Sequence, residues 1–531
     1  MADETPRPAD TITLTIDGAA VTVPKGTTVL QAAEKAGLDV PRYCYHPGLT
    51  IAGNCRICLV DVEKMPKLVT SCTTLAAEGM VVRTSGEKVE DGRRAVMEFL
   101  LANHPLDCPI CDQAGECRLQ DYSFQHGSGA QRFQEERIKG FKQKSVGEHI
   151  MLDTERCIVC TRCVRFCDEV TRTGELGVFQ RGAFSYIDTF PQRGLDNPYS
   201  GNTVDICPVG ALTLKEFRFK KRVWWIKDVP SVCGSCARGC NVNLGTSDNR
   251  IYRLTPRENQ SVNKWWMCDE GRLAIHKPHA APRLRRAGAL EDGRRVPIEH
   301  PAALDRLAQK LRGARPGSVG IVASASLTVE DLWLVRRLAT ECLKDARVVI
   351  PEVLRGKDDA ILIRADKTPN RRGAEMLGLP LDAGDESLGA LLKDAREGRL
   401  DALLIFGAGV EGRIKPPAGG PYVFAAATHA EGAAAEADLV IPIAAYGEFE
   451  GTWVNFAGHA QRVRKGLVPE GIALEVWFLV AELMRRIGIG VRFGSSADVL
   501  AEVVAKNAAF KPLAGTPGGP VKTLGALGAA L

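Results

Sequence analysis

Arg156-Cys-Ile-Val-Cys160-Thr-Arg-Cys163-Val-Arg-Phe-Cys167, with Cys207-Pro208 downstream, decides the reading of this chain. Three cysteines at C-x2-C-x2-C spacing, completed by a remote Cys-Pro, make the ligand set of one [4Fe–4S] cluster. In two-cluster proteins the fourth cysteine of such a run serves the other cluster. Here Asn202-Thr-Val-Asp-Ile206 precedes Cys207 where a second triple would stand. One cluster on Cys157, Cys160, Cys163 and Cys207 is expected, and the site of the second has been lost. Cys167 is then an orphan, expected to pack as a small buried hydrophobe. Zinc does not ask for this triple spacing.

Working outward, the same half of the chain holds three more sets. Cys44, Cys55, Cys58 and Cys72 place three thiols in one loop and a fourth beyond a strand, which suits [2Fe–2S]; zinc is the alternative. His104, Cys108, Cys111 and Cys117 can wrap one centre. Three cysteines and one histidine are also a structural zinc formula. If the centre is a [4Fe–4S] cluster, a neutral imidazole in place of a thiolate removes negative charge and raises its potential, as in Rieske centres. Cys233, Cys236, Cys240 and Cys268 are evenly divided by spacing between [4Fe–4S] and zinc, and their neighbours in the chain favour iron. One [2Fe–2S] and three [4Fe–4S] clusters would use every cysteine except Cys167 and Cys342. Cys342 lies at apolar helical spacing with Val335, Leu338 and Ala339 and is expected in a core.

The totals agree. The chain has 531 residues, which predicts about three to five domains at ~100–200 residues each. Of its 17 cysteines, 16 lie at or before Cys268, an asymmetry unlike a small secreted disulfide scaffold. Hydrophobic residues make up 45% and charged residues 25%, so the bulk is globular. A net charge of +5 is too mild to argue for nucleic acid. No apolar run reaches the ~18 residues of a membrane span, and the acidic start Met-Ala-Asp-Glu-Thr-Pro shows no signal peptide.

Residues 11–24 alternate around Asp17-Gly18, a hairpin signal. Thr27-Thr28 caps a helix through Lys35 that Gly37 stops, and strands are expected at Cys58–Val62, Lys67–Thr70 and Met80–Val82. A helix spans 88–103. Residues 150–215 read as loop-rich, and the segment up to Cys268 as strand-poor. Beyond about 280, apolar runs at Val319–Val322, Val348–Ile350, Ala402–Phe406, Tyr422–Ala425 and Asp438–Ile443 alternate with helical patterns at Pro301–Leu311, Glu330–Lys344 and Leu474–Ile487. This is an α/β pattern with a parallel sheet. The tail Pro512–Leu531 reads as loose.

With these sets in this order, the chain resembles the large iron–sulfur (G) subunits of bacterial respiratory NADH:quinone oxidoreductase, complex I. The match rests on Pro41-Arg-Tyr-Cys-Tyr-His-Pro47, Asn54-Cys-Arg-Ile-Cys58, His104-Pro-Leu-Asp-Cys108-Pro-Ile-Cys111, Arg156–Cys163 and Asp205-Ile-Cys-Pro-Val-Gly-Ala211. Asn370–Leu377 and Glu448–Ala460 resemble a shortened molybdopterin-oxidoreductase domain. The resemblance implies a multidomain α+β and α/β architecture. It comprises a [2Fe–2S] ferredoxin-like β-grasp domain (1–90), a [4Fe–4S] segment with one histidine and three cysteines (91–140), a ferredoxin-like domain with one cluster lost (141–222), a molybdopterin-oxidoreductase-type [4Fe–4S] domain (223–279) and a truncated α/β domain (280–531). It implies that electrons from a flavoprotein subunit enter at the Cys44 set. They then pass through the Cys157 and His104 sets toward quinone-side iron–sulfur subunits, on the cytoplasmic side of the bacterial inner membrane. The Cys233 set matches an extra centre regarded as off the main path.

Two motifs are rejected. Gly407-Ala-Gly409-Val-Glu-Gly412 reads G-x-G-x-x-G, but Pro416-Pro417 prevents the helix that a dinucleotide fingerprint needs. The basic aromatic stretch Lys215–Lys227 reads as a packed connector. No NAD, flavin or molybdopterin site and no catalytic residue is expected, and Cys342 is misplaced for a molybdenum ligand. The alternatives are an electron-transfer subunit of an NAD-linked hydrogenase or formate dehydrogenase, and a multi-zinc scaffold.

Overall fold

The computed structural model describes residues 10–531 except 281, 353–354, 383, 408–409, 411–413, 417–418, 515–521 and 524–531. The chain divides into two compact units, Met1–Trp225 and Ile226–Leu531.

In the first unit, β1 (Thr11–Ile16) and β2 (Ala19–Pro24) pair antiparallel across Asp17 and Gly18, at φ 46° and 85°. These left-handed values are those of the tight hairpin turn that Asp-Gly favours. Helix α1 (Val29–Lys35) starts at Thr28, whose side chain and that of Gln31 cap each other's backbone N–H groups. It buries Val29, Leu30, Ala32 and Ala33 against a sheet completed by β3 (Leu59–Val62), β4 (Val69–Thr70) and β5 (Val81–Arg83). The order is β2-β1-β5-β3-β4, with β1 and β5 parallel. This is the β-grasp arrangement anticipated.

Helix α2 (Glu87–Ala102) follows, burying Val89, Arg93 and Met97 along one face, and then α3 (Arg118–His126). The cysteine-rich remainder is built from short pieces. These are β6 (Lys144–Ser145), β7 (Ile150–Leu152), α4 (Arg162–Glu169), β8 (Leu176–Phe179), β9 (Tyr186–Thr189), α5 (Asn202–Asp205) and β10 (Leu212–Leu214). Strand β10 pairs with β7, which returns the Cys207 loop to the start of the Cys157 run.

The second unit corrects one expectation at once. The segment expected to be strand-poor holds a three-stranded antiparallel sheet, β11 (Lys227–Val232), β12 (Asn241–Ser247) and β13 (Arg250–Pro256). Asn241, Gly245 and Thr246 of β12 are buried, so no apolar–polar alternation marks the strand. After α6 (Asp269–Leu273), a hairpin of β14 (Ala287–Glu291) and β15 (Arg294–Ile298) leads into α7 (His300–Arg312).

The large sheet then forms from β16 (Val319–Ala323), β17 (Arg347–Val349), β18 (Ala402–Phe406), β19 (Tyr422–Ala427) and β20 (Leu439–Pro442). Its order is β15-β14-β20-β19-β18-β16-β17. The last five are mutually parallel, but β14 meets β20 antiparallel, so the sheet is mixed and not wholly parallel. Intervening helices are α8 (Val329–Arg337), α9 (Arg371–Met376), α10 (Glu386–Arg396) and α11 (Ala433–Glu436). The chain continues through β21 (Gly451–Val454), β22 (His459–Val463), α12 (Val476–Ile487), α13 (Ser496–Lys506) and β23 (Lys522–Thr523).

Strand alternation divides the sheet's cores. Leu404, Phe406, Phe424 and Ile441 face α7, α8 and α12, while Leu403, Ile405, Val423 and Val440 face α10 and α11. The helix expected over Glu330–Lys344 changes to a wider π turn at Leu338–Cys342, where Leu343 N bonds Leu338 O. Cys342 is consequently only half-buried, at the edge of the core. Among the described residues no helix is long and apolar enough to cross a membrane. Most of the rejected G-x-G-x-x-G motif and most of the tail beyond Ala514 lie outside the described residues.

Candidate iron–sulfur ligand sets

All 17 cysteines are free thiols, and most of the candidate ligands are buried; Cys108, Cys157 and Cys207 are half-buried. In an apolar interior a thiolate without a counter-charge is costly, so burial pushes these thiols up: Cys117, Cys160 and Cys233 to about 11, and Cys268 to about 12. A bound metal reverses that preference and holds the thiolate form.

The first set converges in the loop between α1 and β3, closed by Cys72 after β4. Cys58 Sγ lies 3.4 Å from Cys72 Sγ, and Cys44 N approaches Cys55 Sγ at 3.4 Å. Hydrogen bonds from Cys55 and Cys72 drive the Cys44 thiol far below its ordinary range, while both partners are pushed up. The Cys58 thiol is brought down to about 7, chiefly by Cys72. The four sulfurs thus form one continuous chain of contacts. Gly53, at φ 66°, faces Thr73 so closely that a Cβ would come within 2.8 Å of its methyl group.

The second set follows α2. His104 Nδ1 is buried with no hydrogen-bond partner, and burial first, then Arg156, Arg137 and Lys142, brings its pKa down to about 4. A neutral ring with an orphaned nitrogen suits a ligand, because metals take the neutral imidazole. Cys108 opens a short 3-10 turn that Cys111 N closes, at 3.1 Å from Cys108 O. Cys117 Sγ points to Pro208 O at 3.8 Å, and a Cβ on Gly210 would collide with Cys111 Sγ. The second set therefore packs directly on the Cys207–Ala211 loop of the third. Arg222 donates to Cys111 O and Pro109 O, and Phe219 N donates to Asp112 at 2.8 Å. The basic aromatic connector is packed here as expected, although Trp224 and Trp225 remain more than half exposed.

The third set lines a small cavity shared by Cys157, Cys160, Cys163 and Cys207 with Leu152, Ile158, Ile187 and Val209. Thr161 at φ 60° turns the chain sharply into α4, so that Cys160 and Cys163 face the same space. Cys167 is fully buried one turn further along α4, and its thiol is pushed up to about 12 by burial, then by Glu175 and Asp168.

The fourth set joins Cys233 N to Cys240 O at 2.8 Å, and Gly271 N to Cys268 Sγ at 3.3 Å. A Cβ on Gly271 would lie 3.0 Å from Cys233 Sγ and 3.4 Å from Cys268 Sγ, so the glycine leaves room where the sulfurs converge. The β21–β22 hairpin clamps this loop. Gln461 bonds Gly239 O at 2.9 Å and Asn241, Asn455 bonds Arg238 O at 3.1 Å, and Phe456 N bonds Ala237 O at 2.9 Å. Asn370 ties the Asn370–Leu377 and Glu448–Ala460 segments together by accepting from Val454 N at 2.8 Å. Beside Cys233, at the carboxyl ends of β16, β19 and β20, lies an apolar cavity of about 780 Å³ walled by Tyr446, Phe449 and Trp453.

Among the described residues no three His, Cys, Asp or Glu side chains close on a single-ion geometry. The Cys157, Cys160, Cys163 and Cys207 donors instead line one shared cavity, and the chemistry of the four sets, soft thiols with one imidazole, fits iron–sulfur clusters. Sequence reasoning passed over the arginines that hold these loops. Arg156 clamps Asp107 at 2.7 Å, and Arg162 and Arg165 reach the Cys44 loop. Their only signal was an arginine repeated within and beside the cysteine run.

Four family models cover the first half of the chain in order. They are a 2Fe-2S iron-sulfur cluster binding domain (residues 9–87), an NADH-ubiquinone oxidoreductase-G iron-sulfur binding region (93–132), an NADH-quinone oxidoreductase subunit 3 ferredoxin-like domain (147–213) and a molybdopterin oxidoreductase Fe4S4 domain (226–277). Fold and models together define a multidomain protein with [2Fe–2S]- and [4Fe–4S]-binding domains of ferredoxin and molybdopterin-oxidoreductase type. Within that class, the chain is similar to the G subunit of NADH-quinone oxidoreductase over about three fifths of its length. It is 39% identical to the G subunit of Rickettsia felis over 331 residues, covering 62% of this chain and 48% of the relative. It is 39% identical to that of Streptomyces coelicolor over 339 residues, covering 63% and 40%. It is 42% identical to the mitochondrial NADH dehydrogenase [ubiquinone] iron-sulfur protein 1 of Solanum tuberosum over 337 residues, covering 63% and 45%. The chain thus spans about half, or less, of the length of these relatives. A chain from the crystal structure of an NAD+-reducing [NiFe]-hydrogenase in the H2-reduced state matches at 31% identity and a TM-score of 0.37. That match covers 40% of this chain and 91% of the other.

Proposed function

We propose that this chain is an electron-relay subunit of an NADH:quinone oxidoreductase of complex I type. One observation carries the reading. Cys44, Cys55, Cys117 and Cys160, from three ligand sets, lie in one contiguous apolar cluster with Tyr43, Met97, Tyr122 and Val209, and Cys157 and Cys207 stand at its edge. Three sets that contribute ligands to one apolar interior support transfer from one to the next.

In this reading Cys44, Cys55, Cys58 and Cys72 hold a [2Fe–2S] cluster. Cys157, Cys160, Cys163 and Cys207 hold a [4Fe–4S] cluster, as do His104, Cys108, Cys111 and Cys117. Cys233, Cys236, Cys240 and Cys268 hold a further one, off the path. When bound, the clusters supply one-electron carriage. The chain's own residues space them, exclude water and set local charge. Electrons arrive from a flavoprotein subunit and leave toward quinone-side iron–sulfur subunits, with the assembly on the cytoplasmic side of a bacterial inner membrane. The domains are divided at 90, 140, 222 and 279, and the last, α/β domain has a structural role.

Iron and acid-labile sulfide assays of the purified chain test this. About 14 iron atoms per chain are expected from one [2Fe–2S] and three [4Fe–4S] clusters. Four zinc ions and a colourless protein would overturn it. Cys157→Ser is expected to remove one [4Fe–4S] signal from the EPR spectrum of the reduced protein.

A further inference from the structure

Helix α4 presents Arg162, Arg165 and Glu169 at spacings of three and four, which places them along one face. That face grips a loop more than 110 positions away, the one bearing Cys44. Arg162 donates from one nitrogen to Ile206 O at 3.1 Å, beside Cys207, and from another to Tyr45 O. Arg165 donates to Cys44 O at 2.6 Å, to Cys160 O at 3.4 Å and to Thr50 O. Glu169 accepts from Thr50 N at 2.8 Å and from its hydroxyl. Asn54 adds a bond to Val159 O at 3.2 Å.

Arg162 is 8% exposed, and its partners are carbonyl oxygens rather than a carboxylate. Its Nε is buried without an acceptor. A buried guanidinium needs a counter-charge. Cys160 is the strongest favourable influence on its charge, followed by Cys207 and Cys44, while Arg118 opposes it with a like charge. The three cysteines are members of two different ligand sets.

Building on the electron-relay reading, we propose that Arg162 and Arg165 are positioning residues for the step between the Cys44 and Cys157 sets. They lock the Cys44 loop to the Cys160 turn, and their positive charge raises the reduction potential of both centres together. The physical ground is simple. Reduction adds negative charge to a centre, and a nearby cation in a water-poor interior stabilises the reduced form. A lysine would keep the charge but not the forked contact with two carbonyls at once.

The test is a redox titration of the full chain, with the two EPR signals followed in wild type, Arg162→Gln, Arg162→Lys and Arg165→Gln. In Arg162→Gln both centres should become harder to reduce. At fixed ambient potential the reduced-to-oxidised ratio should fall ~10-fold, which is about 59 mV for a one-electron centre. Arg165→Gln should move both signals the same way, which keeps the test decisive if Arg162→Gln does not fold. Arg162→Lys should hold the potentials near wild type while iron leaves the first site faster on chelator challenge. Unmoved potentials in both glutamine variants, or a shift confined to one centre, overturn the proposal while leaving the relay reading intact. A wild-type protein with neither signal overturns both.

Discussion

Asp107→Ala should loosen two ligand loops with one substitution. Arg156, next to Cys157, is 5% exposed in its side chain and forks onto Asp107, next to Cys108, at 2.7 and 3.3 Å. Asp153 stands 3.5 Å from the same guanidinium, and its own N–H bonds Ala211 O at 2.8 Å on the Cys207 loop. Removing one member of a buried pair costs about 3–5 kcal/mol, mostly because the other charge is left unpaired. Two features reduce that here. Asp107 keeps 17% of its side chain exposed, and Asp153 remains to share the charge. The expected loss is therefore about 2–3 kcal/mol, or very roughly a hundredfold in the opening equilibrium of the loop. Unfolding of a multidomain, cofactor-bearing chain is not two-state, so the suitable assay is iron release. Bleaching of the visible absorbance under chelator should accelerate by one to two orders of magnitude for the centres on the Cys108 and Cys157 loops. In a double-mutant cycle with Arg156→Met, the paired loss should be smaller than the sum of the single losses. Wild-type bleaching rates in Asp107→Ala, or strictly additive losses in the cycle, would refute the reasoning.

Cys167→Ser should leave iron content and every EPR signal unchanged, at a stability cost of about 1 kcal/mol for the buried hydroxyl; loss of a signal would make Cys167 a ligand. Phe406→Ala, in the centre of the large sheet, should cost about 3–5 kcal/mol. Calorimetry should show it in the transition of the second unit, with the [2Fe–2S] signal untouched. Asp331 is buried among Glu330, Thr328 and Trp477 N, and burial raises its pKa from 3.8 to about 7. The folded state therefore holds a proton that the unfolded state has released between those values, so stability of the second unit falls as pH rises through that window. Asp331→Asn should flatten the slope of Tm against pH; parallel slopes in wild type and variant would show that another group titrates.

Local features were legible in the chain. The Asp17-Gly18 hairpin, the Thr28 cap and the strand–helix alternation beyond residue 300 depend on neighbours in sequence, and the structure reproduces them. The three-stranded sheet before Cys268 was not legible, because its central strand buries Asn241 and Thr246, which the β21–β22 hairpin and Lys227 satisfy. The break at Leu338–Cys342 was equally hidden, since a π turn preserves the apolar spacing that predicted a continuous helix.

The sequence by itself determined which side chains are candidates. Residue type and short-range spacing are written residue by residue, so four candidate donor sets, one with an imidazole, could be proposed from the chain alone, with Cys167 and Cys342 left outside them. Only the tertiary structure decided which sets share an interior and what holds them there. The bond from Arg165 to Cys44 O crosses 121 positions, and that from Arg162 to Tyr45 O crosses 117. No local pattern encodes such a contact. It exists because the Cys44 loop and the Cys157–Cys160 segment leading into α4 share one apolar cluster, and packing, unlike spacing, is a property of the whole chain.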